Sequence, residues 1–199
     1  MKKTHVAIKV IAEITIIGAL AFTLDIVQGF ICKGIFVNGG SIGIAMLPIL
    51  LLSYRRGFWA GLVSGLILSI LQMLGGIYVI NGAWYLIGLQ VMLDYIIAYP
   101  LVAFAGLFYK SFKNSKNFKQ KNTFLIIGSV IGGLLKLLCH FLAGVIFWSS
   151  SCPDGFPGGP SVFSIAYNGA YMIPNTVINT LLLSILAYKM PSLFNPEEL

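Results

Sequence analysis

The sequence has very few charged residues for its length. Only 10% of the 199 residues are charged and 58% are hydrophobic, and the mean hydropathy is +0.91. A soluble domain covers its surface with roughly 25% charged residues. This chain cannot present a polar surface on all sides, so the composition excludes an ordinary soluble domain and predicts that membrane lipid is its main solvent.

Acidic residues and cysteines are also scarce. Six Asp and Glu residues stand against 13 Lys and Arg, but no segment forms a basic arm, so we expect no nucleic-acid partner. Cys32, Cys139 and Cys152 lack the spacing of a metal site. The topology below puts Cys32 and Cys152 on the same side of the membrane, which leaves a disulfide or two free thiols, and we expect free thiols.

The sequence lacks the motifs of common catalytic sites. It contains no HExxH, no GxSxG, no P-loop and no pair of carboxylates placed for a shared site. We therefore expect no enzyme activity, no metal and no cofactor.

Long apolar runs dominate what is present. A membrane-crossing helix needs about 20 mainly apolar residues, which predicts an all-α membrane protein with a single domain over residues 1–199. Glu13 interrupts the first run, and that run is too long for the core of a signal peptide, so we expect it to be retained as a helix. The six predicted spans are residues 6–31, 41–54, 58–74, 86–109, 123–149 and 161–188.

The cations lie on one side of this predicted arrangement. Of the 13 Lys and Arg residues, 11 fall at the termini or in alternate loops, and only Lys33 and Lys136 do not. Cationic loops stay in the cytoplasm, so both termini are predicted to be cytoplasmic. The 11 residues are Lys2, Lys3, Lys9, Arg55, Arg56, Lys110, Lys113, Lys116, Lys119, Lys121 and Lys189.

The fifth segment contains LLKLLCHFLAGVIFWS, an apolar run with polar residues inside it. Lys136, His140, Gly144 and Trp148 recur every four residues and therefore share one stripe of a helix. Charged residues at membrane depth are costly and indicate a functional site that faces the interior of the helix bundle.

Polar residues also occur in other segments. Asp94 and Tyr95 lie in segment four, and a buried carboxylate there needs a partner from another helix or from a ligand. Asn168, Tyr171 and Asn175 share one face of segment six, although Asn175 could instead join helices by hydrogen bonds.

The charged residues at the two ends of segment one have a simpler interpretation. Glu13 is expected to reach the membrane interface, and Asp25 could reach it as well or belong to a site inside the bundle.

These side chains suit a particular class of ligand. Aromatic faces stack on flat rings and attract a cation, a carboxylate offsets positive charge, and an amide and an imidazole fix ring orientation. The pattern favours a flat, cationic, heteroaromatic ligand bound in a pocket that opens outward.

Five stretches in this order resemble the thiamine-specific substrate-binding subunits (ThiT/YuaJ type) of energy-coupling-factor vitamin transporters. The resemblance covers nearly the whole chain. The stretches are LDIVQGF (24–30), NGGSIGIAMLPILLLSYRRG (38–57), LDYIIAY (93–99), LLKLLCHFLAGVIFWS (134–149) and YNGAYMIP (167–174).

The resemblance implies a six-helix protein of the bacterial plasma membrane that binds thiamine in an outward-facing pocket and has no ATPase of its own. It implies docking on a transmembrane coupling subunit that carries two ATPase subunits, through the small residues Thr15 and Ala19. With Tyr171 from the segment-six face, the expected binding residues are Asp94, Tyr95, Lys136, His140, Gly144, Trp148, Asn168, Tyr78 and Tyr171.

The roles expected of these residues follow from thiamine chemistry. Asp94 would offset the thiazolium charge or accept the amino group, and Trp148 and His140 would enclose a ring. Lys136 would fix Asp94 at the pocket floor.

The chain also departs from some relatives. Asp94 stands where some have Glu, Phe163 where some have Tyr, and Gly39 where some have Trp, so Phe36 would supply that wall. The alternatives are a subunit for another vitamin or a precursor, such as riboflavin or hydroxymethylpyrimidine, and a proton-coupled carrier.

Overall fold

The computed structural model describes residues 2–196, with side chains from residue 7 onward. The side chains of Lys2 and Lys3, counted above among the cytoplasmic cations, lie outside the described set. All regular secondary structure in the described part is helical, as predicted. The α-helices are α1 (Lys2–Ile31), α2 (Met46–Arg56), α3 (Phe58–Leu74), α4 (Trp84–Val91), α5 (Tyr109–Lys113), α6 (Phe118–Ile146) and α7 (Gly159–Lys189).

A helix occurs at each of the six predicted segments, but their lengths differ. Among the described helices, α1, α6 and α7 are long and apolar enough to cross a membrane alone, and the bent path from α4 to α5 would make a fourth crossing. Helices α2 and α3 have only 11 and 17 residues. The count of six spans and the cytoplasmic placement of the termini therefore stay predictions.

The fourth segment is irregular throughout its middle. Helix α4 continues into a π-helical turn, Met92–Ile97, and then into a 3₁₀ stretch, Pro100–Phe108, before α5. The two halves meet at an angle of 42°. Pro100 has no N–H to donate, which helps to break the regular hydrogen-bond pattern. Single π-helical turns frequently occur at functional sites. This turn carries Asp94 and Tyr95.

The predicted second segment begins later than expected, because residues 38–45 are not helical. Amide side chains from α1 and α7 replace the missing helical hydrogen bonds. The Gly43 N–H donates to Asn175 Oδ1 (2.6 Å), Asn175 Nδ2 donates to the Ser41 carbonyl (2.7 Å), and the Ala45 N–H donates to Gln28 Oε1 (3.1 Å). Non-helical backbone at membrane depth is tolerated only where protein satisfies it in this way.

Glycines allow α6 to approach its neighbours closely. A Cβ at Gly132 would lie 2.6 Å from the Val102 carbonyl oxygen, and one at Gly133 would lie 2.2 Å from Thr176 Oγ1. Small residues serve this purpose in membrane helix packing because backbones can then come into contact. The 3₁₀ stretch and α7 are thereby fixed against α6, on which three of the predicted binding residues lie.

Glu13 lies at the end of the bundle that is predicted to be cytoplasmic. Its carboxylate pairs with Arg55 (3.1 Å) and with Arg56 (2.7 Å). The Arg55 guanidinium also donates to the carbonyls of Leu193 (2.9 Å) and Asn195 (3.0 Å). Glu13 therefore has two specific partners at this end of the bundle. The cluster joins α1, α2 and the C-terminal segment.

Candidate ligand-binding site

A cavity of about 550 Å³ lies between α1, the non-helical residues 38–45, the π-helical turn Met92–Ile97, α6 and α7. The structure brings all nine predicted binding residues to its wall. They are Tyr78, Asp94, Tyr95, Lys136, His140, Gly144, Trp148, Asn168 and Tyr171. The stripe predicted for segment five therefore faces one cavity, with three of its residues on α6 and Trp148 just beyond the end of that helix. The π-helical turn places the Asp94 carboxylate opposite the stripe.

Neutral donors hold Asp94 in place. Trp148 Nε1 and Gln90 Nε2 each donate to Asp94 Oδ2 at 2.8 Å, and His140 Nδ1 lies 3.6 Å from Oδ1. Only 13% of the Asp94 side chain is exposed. One carboxylate oxygen is thus occupied by protein, while the other keeps capacity for a ligand donor or a positive charge.

Aromatic rings form the wall beside this carboxylate. Phe36, expected to replace a missing tryptophan, packs edge-on against Tyr171 with ring centroids 5.4 Å apart. The His140 and Tyr171 centroids are 6.1 Å apart. The bond to Asp94 fixes the Trp148 indole, so flat, preoriented rings face the cavity where a heteroaromatic ligand could stack.

Tyr167 also lines the cavity, although it was not among the binding residues predicted from the sequence. Its hydroxyl accepts from the Asn38 N–H and donates to the Gly39 carbonyl, both at 2.9 Å. It fastens the loop before α2 to α7. Its spacing of four residues from Tyr171 could have revealed it.

Asn168 has both ends of its amide engaged within the protein. Its Nδ2 donates to the Ser164 carbonyl (2.9 Å) and the His140 carbonyl (3.3 Å), and its Oδ1 accepts from the Tyr171 hydroxyl (2.5 Å). The amide therefore joins α7 to α6 and fixes the Tyr171 ring.

Lys136 has different neighbours from those predicted. Among the described residues it forms no hydrogen bond with Asp94, whose carboxylate Gln90 and Trp148 hold instead. Its Nζ lies 3.3 Å from the centroid of the Tyr99 ring, and its side chain is buried. The structure thus corrects the expectation that Lys136 fixes Asp94.

Asp25 also lines the cavity, although it was not among the nine predicted binding residues. An interfacial position was one of the two interpretations that its sequence position allowed. It accepts hydrogen bonds from the Tyr99 hydroxyl, from Gln72 Nε2 (2.7 Å) and from Gln28 Nε2 (3.2 Å). The spacing of Asp25 and Gln28, three residues apart on one helix face, was a usable signal.

Tyr78 and Tyr95 lie together at the mouth of the cavity. The Tyr78 N–H donates to the Tyr95 hydroxyl at 3.0 Å, and Gln90 Nε2 donates to the Tyr78 carbonyl at 3.2 Å. The Tyr78 ring itself is exposed. The polar network around Asp94 therefore continues outward to the loop before α4.

The remaining predictions concern residues outside the ligand contacts. Thr15 and Ala19 are exposed on α1, and neither lines the cavity. The cysteines Cys32, Cys139 and Cys152 are free, as expected. Within the part of the chain that the structure describes, no cluster of three His, Cys, Asp or Glu side chains could hold a metal ion.

Comparisons with known proteins give the same family as the resemblance in the sequence. Residues 11–195 match the family described as Thiamine transporter protein (Thia_YuaJ). The chain is 33% identical to thiamine transporter ThiT of Bacillus subtilis, over 94% of each chain. It is 32% identical to thiamine transporter ThiT of Lacticaseibacillus paracasei, over 98% of this chain and 94% of that one.

A solved structure agrees with the sequence relatives. ThiT from Listeria monocytogenes has a TM-score of 0.76 and 29% identity, over 96% of this chain and 99% of that chain. The chain therefore belongs to the Thia_YuaJ family of thiamine transporter proteins and is a multi-pass bacterial membrane protein.

Proposed function

We propose that the chain is the thiamine-binding subunit of an energy-coupling-factor transporter and that thiamine occupies the cavity around Asp94. Thiamine joins a positively charged thiazolium to a neutral aminopyrimidine. The observation that carries the proposal is a carboxylate in an aromatic cavity, held between Trp148 and His140, with one oxygen that keeps capacity for a ligand. Stacking and charge compensation are the two interactions that such a ligand requires.

Each cavity residue has a role in this proposal. Asp94 Oδ1 offsets the thiazolium charge or accepts the amino group of the pyrimidine. Trp148 and His140 enclose one ring, and Tyr171, held by Asn168, supplies an edge. Tyr95 and Tyr78 form the mouth through which the ligand enters.

Uptake also requires an energy source. The sequence has no P-loop, so we propose that two partner ATPase subunits hydrolyse ATP and act through a transmembrane coupling subunit. Thr15 and Ala19, small and exposed on α1, would allow a partner helix to approach closely.

Tryptophan fluorescence tests the binding proposal directly. Trp59 and Trp84 are 73% and 84% exposed and do not line the cavity, whereas Trp148 does. The double variant Trp59→Phe/Trp84→Phe, purified in detergent, should therefore show saturable quenching when thiamine is added. Trp148→Phe should lose most of the signal while calorimetry still detects a complex. No saturable quenching and no heat of binding would reject the proposal.

Competition separates thiamine from the alternative ligands. Unlabelled riboflavin should not displace thiamine, and hydroxymethylpyrimidine, which has no positive charge, should displace it only weakly. If either compound binds more tightly than thiamine, that compound is the ligand of this site. Thiamine uptake by vesicles that contain this chain alone, driven by a pH gradient, would support the proton-coupled carrier instead.

The docking surface has a matched control on another helix. Thr15→Leu/Ala19→Leu should reduce copurification of the coupling subunit and thiamine uptake while thiamine binding persists. Ala166 and Ala170 are also exposed and four residues apart, on α7, and Ala166→Leu/Ala170→Leu should leave copurification unchanged. Equal effects of the two pairs would place the docking surface elsewhere.

A further inference from the structure

The cavity contains a second carboxylate, Asp25, that the proposed binding mode does not use. Its three hydrogen-bond donors are the Tyr99 hydroxyl, Gln72 Nε2 and Gln28 Nε2. All three donors are neutral. They orient the carboxylate, but they do not cancel its charge.

Tyr99 connects Asp25 to Lys136. The face of its ring lies 3.3 Å from Lys136 Nζ, while its hydroxyl donates to Asp25. Lys136 is only 4% exposed, and no described carboxylate lies within salt-bridge distance of its Nζ. An ammonium over an aromatic face is a cation–π contact, so the ring separates a buried cation from an anion.

The formal charges of the cavity wall do not cancel. With histidine counted as neutral, Asp25 and Asp94 contribute −2 and the buried Lys136 contributes +1, which gives a formal charge of −1. Lys33 also lines the cavity, but it is exposed to water, where its charge is screened. A ligand with one positive charge makes the wall neutral, whereas a neutral ligand leaves a buried negative charge uncompensated.

We propose that Asp25 is a specificity-determining residue: paired with Lys136 across Tyr99, it gives the cavity the single negative charge that selects monocationic ligands. Without Asp25, the charges of Asp94 and Lys136 cancel and a cation gains no net compensation. This inference rests on the proposed function, because thiamine is the monocation that we use as the probe.

The test compares two ligands of equal shape. One is thiamine, and the other is its neutral isostere, in which thiophene replaces the thiazolium. Their dissociation constants are measured by calorimetry. Asp25→Asn should reduce the preference for thiamine over the isostere by roughly 10- to 100-fold, the effect expected for one unit charge in a partly buried site. Lys136→Gln should change the preference in the opposite direction.

The double variant separates charge from structure. Asp25→Asn/Lys136→Gln restores a formal wall charge of −1 and should recover most of the preference that Asp25→Asn loses, a coupling expected of groups that share one network. A structural role alone would weaken both ligands equally and would give no recovery. Asp154→Asn, an exposed carboxylate outside the cavity, is the control and should behave as wild type.

The two proposals fail in different ways. If wild-type protein does not bind thiamine, the proposed function fails. If wild-type protein binds thiamine and Asp25→Asn keeps the same preference for thiamine over the isostere, only the role of Asp25 is overturned. An unrecovered preference in the double variant would also overturn it, because the effect would then not depend on wall charge.

Discussion

Asp94 has one oxygen held by protein donors and one with capacity for a ligand. Asp94→Asn keeps the shape of the side chain but removes its charge. We expect thiamine binding to weaken roughly 100-fold, because hydrogen bonds to charged groups contribute about 1.5–3 kcal/mol. Hydroxymethylpyrimidine should lose much less, and calorimetry measures both losses.

The matched variant for this position is Asp94→Glu. Because Glu keeps the negative charge, the longer carboxylate should retain most of the affinity. Equal losses for thiamine and hydroxymethylpyrimidine in Asp94→Asn would argue against charge pairing and for a role of Asp94 in positioning Trp148.

At the residue scale, the nine predicted binding residues all line one cavity, but several of their hydrogen-bond and ring partners were not predicted. The stripe on α6 was visible because its residues repeat every four positions. The neighbours of Lys136 were not visible, since they depend on how Tyr99 and Asp25 meet across three segments. An interfacial position was one interpretation of Asp25, because this residue lies near the predicted end of segment one. Its position on the cavity wall depends on packing against Tyr99 and Gln72 from other segments.

At the scale of elements, the helices followed from apolar length, but the irregular backbone between them did not. The π-turn at Met92–Ile97 leaves no pattern in a run of apolar residues. The start of α2 at Met46 depends on Asn175 and Gln28, distant side chains that satisfy the preceding backbone. Sequence reasoning offered helix joining as one role for Asn175, and the structure shows that its partners are backbone groups of a loop.

Asn175→Leu should therefore destabilise the protein. The change removes the partners of the Gly43 N–H and the Ser41 carbonyl, and each unmet buried group costs about 1–3 kcal/mol. We expect the apparent melting temperature in detergent to fall by about 5–15 °C.

Thr180 provides the control on the same helix. It is buried, and its hydroxyl oxygen has no hydrogen-bond partner among the described residues. Thr180→Val should therefore leave the melting temperature within about 2 °C of wild type, since no hydrogen bond is lost. A similar fall for both variants would show that α7 tolerates no change here, whatever the hydrogen bonds.

Close packing of α6 gives a second prediction for the elements. Gly132→Ala would place a Cβ 2.6 Å from the Val102 carbonyl oxygen, and neither backbone can yield easily. Overpacking of this kind costs about 1–3 kcal/mol, which should again appear as a lower melting temperature. Gly88→Ala meets nothing within 4 Å and should be neutral. An unchanged Gly132→Ala protein would show that α6 can move away from the 3₁₀ stretch.

At the scale of the whole molecule, the two ends of the bundle differ in the charged groups that they carry. One end has the ion pairs of Glu13 with Arg55 and Arg56 and the five lysines of residues 110–121, which run from α5 into the first turn of α6. The other has the cavity mouth at Tyr78 and the loop that contains Asp154, which carries no cation. The distribution of cations predicts that the first end is cytoplasmic, and a pocket for uptake must then open outward.

Cysteine labelling tests this orientation. In a Cys152→Ser background the other native cysteines are buried, so an added cysteine reports alone. A membrane-impermeant maleimide should label Asp154→Cys in intact cells, and should label Lys119→Cys only after permeabilisation; both positions are exposed. The reverse labelling pattern would show that the protein has the opposite orientation in the membrane. Labelling of both variants in intact cells would mean that α6 does not cross the membrane, and the six-span topology would then be wrong.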